Sequence, residues 1–141
     1  MQLVSRTQIE QLQAAGSHLP QFVPKTEHYF SNGMYVRKAH MPATLIVVGK
    51  VHKHPHFFVL CAGEMIVVDE KGRRTLHSGD VICSEAGTKR ALICVTDCIG
   101  MNVHRTDKTD LDEIEAELIE PDDSALFDAH NMLKDKALTC T

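Results

Sequence analysis

The chain has 141 residues, 43% of them hydrophobic and 24% charged; this is the length of one ordinary domain with near-average globular composition, which excludes a disordered chain, a collagen-like repeat and a coiled-coil rod. Fifteen Lys+Arg against nineteen Asp+Glu leave a net charge of −4, and with no overall positive field to attract a phosphate backbone, nucleic acid is not an expected partner. No stretch approaches the roughly 20 apolar residues of a membrane span and no charged segment followed by an apolar run opens the chain, so the expectation is an unexported, cytoplasmic protein with no membrane partner.

In chain order, TQIEQLQAA over 7–15 predicts a short helix, with Thr7 and Glu10 at capping-box spacing, Ile9 and Leu12 on one face and Gly16 as its stop. Pro20 and Pro24 bracket an extended arm. Asn32-Gly33 between Tyr29-Phe30 and Met34–Val36 is a two-residue hairpin signal, because both loop positions of such a turn need positive φ. Short apolar or β-branched runs then follow at Thr44–Val48, Phe57–Cys61, Met65–Val68, Val81–Cys83, Ala91–Thr96 and Ile99–His104. Turn residues at Gly49, Gly63, Asp69–Gly72, Gly79-Asp80, Ala86-Gly87 and Thr96-Asp97 separate them. Runs of this length and spacing, with no helical pattern between them, predict an all-β core built as an antiparallel sandwich or barrel.

Beyond Arg105 the composition turns acidic. TDKTDLDEIEAELIEPDD places Leu111, Ile114 and Leu118 on one helical face, with Thr109 or Asp110 as cap and Pro121 as stop. A second short helix is expected after Ser124, with Leu126, Phe127, His130 and Leu133 inside. These helices can pack on their own sheets or on a neighbouring subunit. The predicted organisation is therefore an N-terminal helix and arm over 1–27, a β-barrel over 28–106 and an acidic helical extension over 107–141.

Five cysteines at 61, 83, 94, 98 and 140 form no Cys-x-x-Cys pair, and they read as thiols. Cys61, Cys83 and Cys94 lie in apolar runs, where a thiol serves as a small hydrophobe. The unusual count is nine histidines, and GKVHKHPHFFVLCAGE over 49–64 alternates three of them as His52, His54 and His56. Alternate residues of a strand face the same way, so their imidazoles can converge on one metal ion, although Pro55 interrupts the strand before His56.

The stretch from Lys50 to Arg90 resembles the two-motif signature of the cupin superfamily. Gly63 takes the closing glycine of the first motif, His56 its Glu position, His52 its second His, Lys50 its first His and Thr44 its opening glycine. Gly79-Asp80 and Gly87 keep the frame of the second motif, in which Glu85 stands at the Pro position, Arg90 at the His and Cys94 at the Asn. The fifteen residues between Gly63 and Gly79 match the short inter-motif loop of microbial members. GKVHKHPHFFVL, AGTKR and VHRTDKTDLDEIEAELIE are further similar to small phage-encoded cupin-like proteins, over residues 45–120. The resemblance implies a single cupin-like double-stranded β-helix (jelly roll) barrel with an N-terminal helix and two C-terminal helices, a metal inside, and a homodimer or higher homo-oligomer.

Two of the four ligand positions of that pattern hold cations, and neither Lys nor Arg binds a metal when protonated. The expected metal ligands are His52 and His56, with His104 in MNVHR as the third and His54 as its competitor. Zn, Fe, Ni or Mn suits such a divalent site. Arg90 and Lys50, if turned inward, would clamp an anionic small molecule. Glu64 and Glu85 are alternative carboxylate ligands, although both suit a solvated surface. No phosphate-cradling loop, Gly-x-Ser-x-Gly elbow or nucleophile pair is present, so the catalytic residues are unassigned and triad hydrolysis is not expected. The function expected is a divalent metal held with a small anionic ligand. The alternatives are a non-catalytic scaffold, such as a phage-particle or partner-binding protein, and a metal-free binder of an anionic metabolite.

Overall fold

The Asn-Gly turn organises the first hairpin of the computed structural model, which describes residues 4–134. Asn32 and Gly33 have φ of 41° and 81°, the mirror-image turn whose twist matches that of its flanking strands. It joins β1 (Lys25–Ser31) to β2 (Met34–Met41). The hairpin adds β9 (Cys98–Arg105), β4 (His56–Ala62) and β7 (Val81–Ser84) to make a five-stranded sheet of order β1-β2-β9-β4-β7. The facing sheet has order β3-β8-β5-β6, from β3 (Ile46–Val48), β8 (Ala91–Cys94), β5 (Glu64–Asp69) and β6 (Gly72–His77). Every named strand pair is antiparallel. Among the described residues no strand pair joins the two sheets, so the jelly roll is a two-sheet sandwich, and the closed barrel expected from the sequence is corrected to that.

The period-2 pattern decides what lies between the sheets. Phe58 and Leu60 of β4, Met65 and Val67 of β5, Leu76, Ile82, Cys94 and Cys98 form the main core with Ala39 and Met41. Cys61 and Cys83 fall on the other parity and are exposed, so the reading of those two as apolar filler is corrected; Cys140 lies outside the described residues. Strand β6 was not among the predicted runs. Only Gly72 and Leu76 of GRRTLH are buried, and the strand exists because β5 supplies a complete ladder from Glu64↔His77 to Asp69↔Gly72.

Helix α1 (Arg6–Gly16) starts earlier than expected, with Ser5 and Gln8 rather than Thr7 and Glu10 forming the capping box. Helix α2 (Leu111–Leu118) is capped by Asp110, whose carboxylate accepts the Glu113 N–H at 3.1 Å. It folds back on its own sheets, burying Ile114 and Leu118 against Tyr35. The expected second C-terminal helix is absent from the described residues. Asp128 instead accepts the N–H groups of His130 and Met132, at 2.9 and 3.0 Å, and Asn131 takes a φ of 58°. The segment closes as a turn bridging Phe127 to Leu133, because a local Asp turn competes with a helix start. No helix among the described residues is long and apolar enough to cross a membrane.

Two positions of the cupin-like frame show what its glycines do. Gly63 has φ +93°, and a Cβ there would stand 2.3 Å from the Asp97 carbonyl oxygen. Thr44, at the opening glycine position, holds φ +72° although β-branched, a conformation costing about 1–3 kcal/mol in a non-glycine residue. Thr44 is exposed, so nothing in packing opposes its replacement. Thr44→Gly is expected to stabilise the fold by about 1 kcal/mol, the strain relieved less the added chain entropy. Gly63→Ala is expected to cost more than about 2 kcal/mol, through both strain and clash. Urea unfolding of the two variants checks both signs.

Candidate functional site

The three central strands of the large sheet build the site. In the register of β2 on β9, Tyr35 faces His104 and Arg37 faces Asn102; in that of β9 on β4, Asn102 faces Phe58. His56 is two residues before Phe58 on the same face, so it stands beside His104. His52 arrives from the β3–β4 connection, which is held on two sides. Its carbonyl accepts the Gly87 N–H at 2.9 Å. The end of α2 clamps its neighbours, with Lys53 N–H donating to Leu118 O at 2.7 Å and Glu120 N–H to Val51 O at 2.9 Å.

The three rings converge. Centroid separations are 4.0 Å for His52–His56, 4.6 Å for His56–His104 and 4.9 Å for His52–His104, and one nitrogen from each lies within 4.8 Å of the others. Nitrogens around a tetrahedral zinc stand about 3.3 Å apart, given bonds of about 2.0–2.1 Å, so small ring rotations bring this set to bonding distance. His56 and His104 are each 8% exposed. Burial first, then the neighbouring imidazoles and Arg37, hold His52 down to about 2 and His104 to about 3. Burial also lowers His56, with Arg90 acting the same way and hydrogen bonds to His54 and Asn102 opposing. All three are therefore neutral and present lone pairs at pH 7, the form a metal needs.

Behind the triad, Tyr35 stacks on His104 with centroids 5.8 Å apart, and its hydroxyl lies 2.6 Å from His28 Nδ1. Burial raises the Tyr35 phenol to about 12. This layer fixes the His104 ring from one side, as second-sphere partners do at metal sites. In front of the triad opens a cavity of about 780 Å³ between the sheets, with Phe58, Leu92 and Val47 among its apolar walls, a size that suits a small-molecule ligand.

The other sequence candidates go elsewhere. His54 is exposed and outside the group. Residues 53 and 54 form a bend and β4 begins only at His56, so the alternation breaks before His56, where Pro55 interrupts the strand. Lys50 donates to the Glu115 carboxylate. Arg90 reaches inward, but its Nε meets Asp69 Oδ2 at 3.3 Å and its Nη1 donates to Ser84 Oγ at 2.8 Å. Asp69 also receives Arg74 at 3.3 Å, so neither Lys50 nor Arg90 is a free anion clamp. Glu64 pairs with His77 at 3.1 Å and Glu85 with Lys71 at 3.1 Å; neither belongs to the triad. The sequence reading missed Tyr35, Arg37, Asn102 and His28. Extending the Asn-Gly hairpin register was the available signal, since it pairs His28 with Arg37 and puts Tyr35 and Arg37 on one face.

No family model matches the chain, and the comparison with curated proteins found no match. Solved structures do share its architecture. A cupin 2 conserved barrel domain protein from Salinispora arenicola is 13% identical, with a TM-score of 0.51 over 60% of this chain and 76% of that one. A cupin superfamily protein from Desulfitobacterium hafniense is 12% identical, with a TM-score of 0.53 over 60% and 78%. KdgF from Halomonas sp. is 13% identical, with a TM-score of 0.52 over 60% and 82%. At such identities the likeness is one of fold: the chain adopts the double-stranded β-helix architecture of cupins, and carries inside it a buried group of three histidines able to hold a metal.

Proposed function

We propose that the protein is a cupin-fold metal-binding protein, with His52, His56 and His104 holding one divalent ion at the head of a pocket for a small anionic molecule. The observation that carries this reading is the convergence of three neutral, largely buried imidazoles with no carboxylate among them. Burying unpaired imidazole nitrogens together has an energetic cost, and a shared ligand removes it. Three nitrogen donors suit zinc, nickel or iron better than the oxygen-preferring ions, and leave positions for water or substrate. The ion, when bound, supplies a Lewis acid for a carbonyl or a water molecule. The protein's own residues supply shape: Tyr35 backs His104, α2 and Gly87 hold the His52 loop, and the apolar walls limit the water that enters.

A second reading, a non-catalytic scaffold assembling as a homo-oligomer or gripping a partner such as a phage particle, is favoured by Lys50 and Arg90. Both stand at ligand positions of the cupin pattern and are spent in internal ion pairs with Glu115 and Asp69.

Metal analysis separates the two. Protein purified without chelator, or stripped and reloaded with zinc or cobalt, is expected to hold about one ion per chain. His52→Ala, His56→Ala and His104→Ala are each expected to weaken binding by about 100-fold or more, at or beyond the range seen for outer-sphere losses, while His54→Ala matches wild type. Inductively coupled plasma mass spectrometry and the cobalt visible spectrum read the result. Equal metal content in wild type and all three triad variants would end the metal reading and leave the scaffold.

Packing of α2 gives a separate expectation. Ile114 is 5% exposed beneath the helix, so Ile114→Ala is expected to cost about 2–4 kcal/mol in urea unfolding. It should also loosen metal binding through the His52 loop, detectable as a faster zinc release to a chelator.

A further inference from the structure

A census of the positive charges around the cavity leaves one of them without a carboxylate partner. Lys50 is paired with Glu115 and Arg90 with Asp69. Lys89 donates to the Gly49 carbonyl at 2.9 Å and stands 3.8 Å from Asp122. Arg37 has no carboxylate partner among the described residues. Its Nη2 donates to Asn131 Oδ1 at 2.9 Å, a neutral amide that leaves the positive charge intact. The amide is itself fixed, donating to Thr26 Oγ1 at 2.8 Å and to Pro24 O at 3.2 Å. Arg37 is thus aimed and held without being neutralised.

Its place in the fold gives that charge a use. Arg37 shares the inner face of β2 with Tyr35, one pleat repeat away, or about 7 Å along the strand, and Tyr35 stacks on His104. It lines the same cavity as the three imidazoles. Arg37 is half-buried, withdrawal from water acts against its guanidinium, and a cation so placed without a counter-ion is costly unless something else compensates it. No carboxylate accompanies the triad, so a divalent ion there would add further uncompensated positive charge to the same space.

We propose that Arg37 is the anion-binding residue of the cavity and that the ligand is a small carboxylic acid, its carboxylate on the Arg37 guanidinium, its carbon skeleton against Phe58 and Leu92, and its other end toward the triad. A planar fork of donors matches a carboxylate in two parallel hydrogen bonds, and a single unmatched positive charge balances a monoanion. The apolar walls favour an acid with a carbon chain over inorganic phosphate. The contact at the triad end rests on the metal reading above; the Arg37 contact does not.

The test uses butyrate, its uncharged isostere butyramide, and inorganic phosphate, titrated calorimetrically into full-length protein with and without zinc. Wild type is expected to bind butyrate at least about tenfold more tightly than butyramide, and more tightly than phosphate. In Arg37→Met the advantage over butyramide is expected to vanish. Arg37→Lys, which keeps the charge but not the fork, is expected to retain the preference at weaker affinity, and it serves as the measure should the Met variant fold poorly. Equal binding of butyrate and butyramide by wild type overturns the proposal. So does a preference that survives in Arg37→Met, an Arg37→Lys variant that binds butyrate as wild type does, or phosphate bound more tightly than butyrate. Zinc-free protein that keeps an Arg37-dependent preference for butyrate upholds the proposal, even where metal analysis removes the reading it extends.

Discussion

The antiparallel ladder that runs from β2 through β9 to β4 is the constraint on which the site depends. It fixes which residues stand opposite each other: Tyr35 with His104, Arg37 with Asn102, and Asn102 with Phe58. A slip of one residue in either pairing would turn His104 or His56 to the outer face and empty the site. The register is protected by burial on the same face, because Ala39, Met41, Phe58 and Leu60 lie in the main core. The core and the site are thus two ends of one set of inward-facing positions, apolar where the sheets close on each other and polar where they part.

Burial without charge governs the polar end. Three imidazoles packed with centroids 4.0 to 4.9 Å apart could not all be protonated there, since each proton would face two like charges in a poorly hydrated space, with Arg37 acting against His52 and His104 and Arg90 against His56. Neutrality removes the repulsion but leaves nitrogen lone pairs aimed at one point. The Tyr35 hydroxyl lies against His28 Nδ1 and makes no demand on the triad, so those lone pairs remain available to a ligand.

Much of the fold was legible in the residues. The Asn-Gly turn, the strand runs and the acidic α2 follow from local chemistry: positive φ, period 2, and an apolar seam with an Asp cap. What escaped was set by non-local contacts. Strand β6 has one buried apolar side chain larger than glycine, Leu76, and takes its structure from the β5 ladder. The turn at Asp128–Asn131 replaces a helix because side-chain acceptors there outbid the helical ladder. In the site, His52 and His56 could be marked by frame and His104 by its strand, while His54 stood as the competitor of His104 until the bend at 53–54 turned it outward. Arg37 carries no motif at all. It becomes visible only when the hairpin register is extended into β2 and each neighbouring charge has been assigned a partner.

The two inward arginines show why residue type alone does not decide a role. Arg90 stands where the cupin pattern places a histidine, and only 14% of its side chain is exposed. Asp69, with 2% of its side chain exposed, also lies inside, and holds both Arg90 and Arg74. That arrangement makes Arg90 a structural tie between β5, the start of β8 and the β6 edge. Removing Asp69 would leave a buried cation, whereas removing the pair together would leave a gap that apolar side chains can fill. The triad does not depend on Arg90, because His104 comes from β9, on the sheet opposite β8, and the residue facing it across the β2–β9 ladder is Tyr35. Where a fold supplies ligand positions on both sheets, one can be given over to packing and its function taken up by another, provided that the replacement strand is already fixed in register by the core.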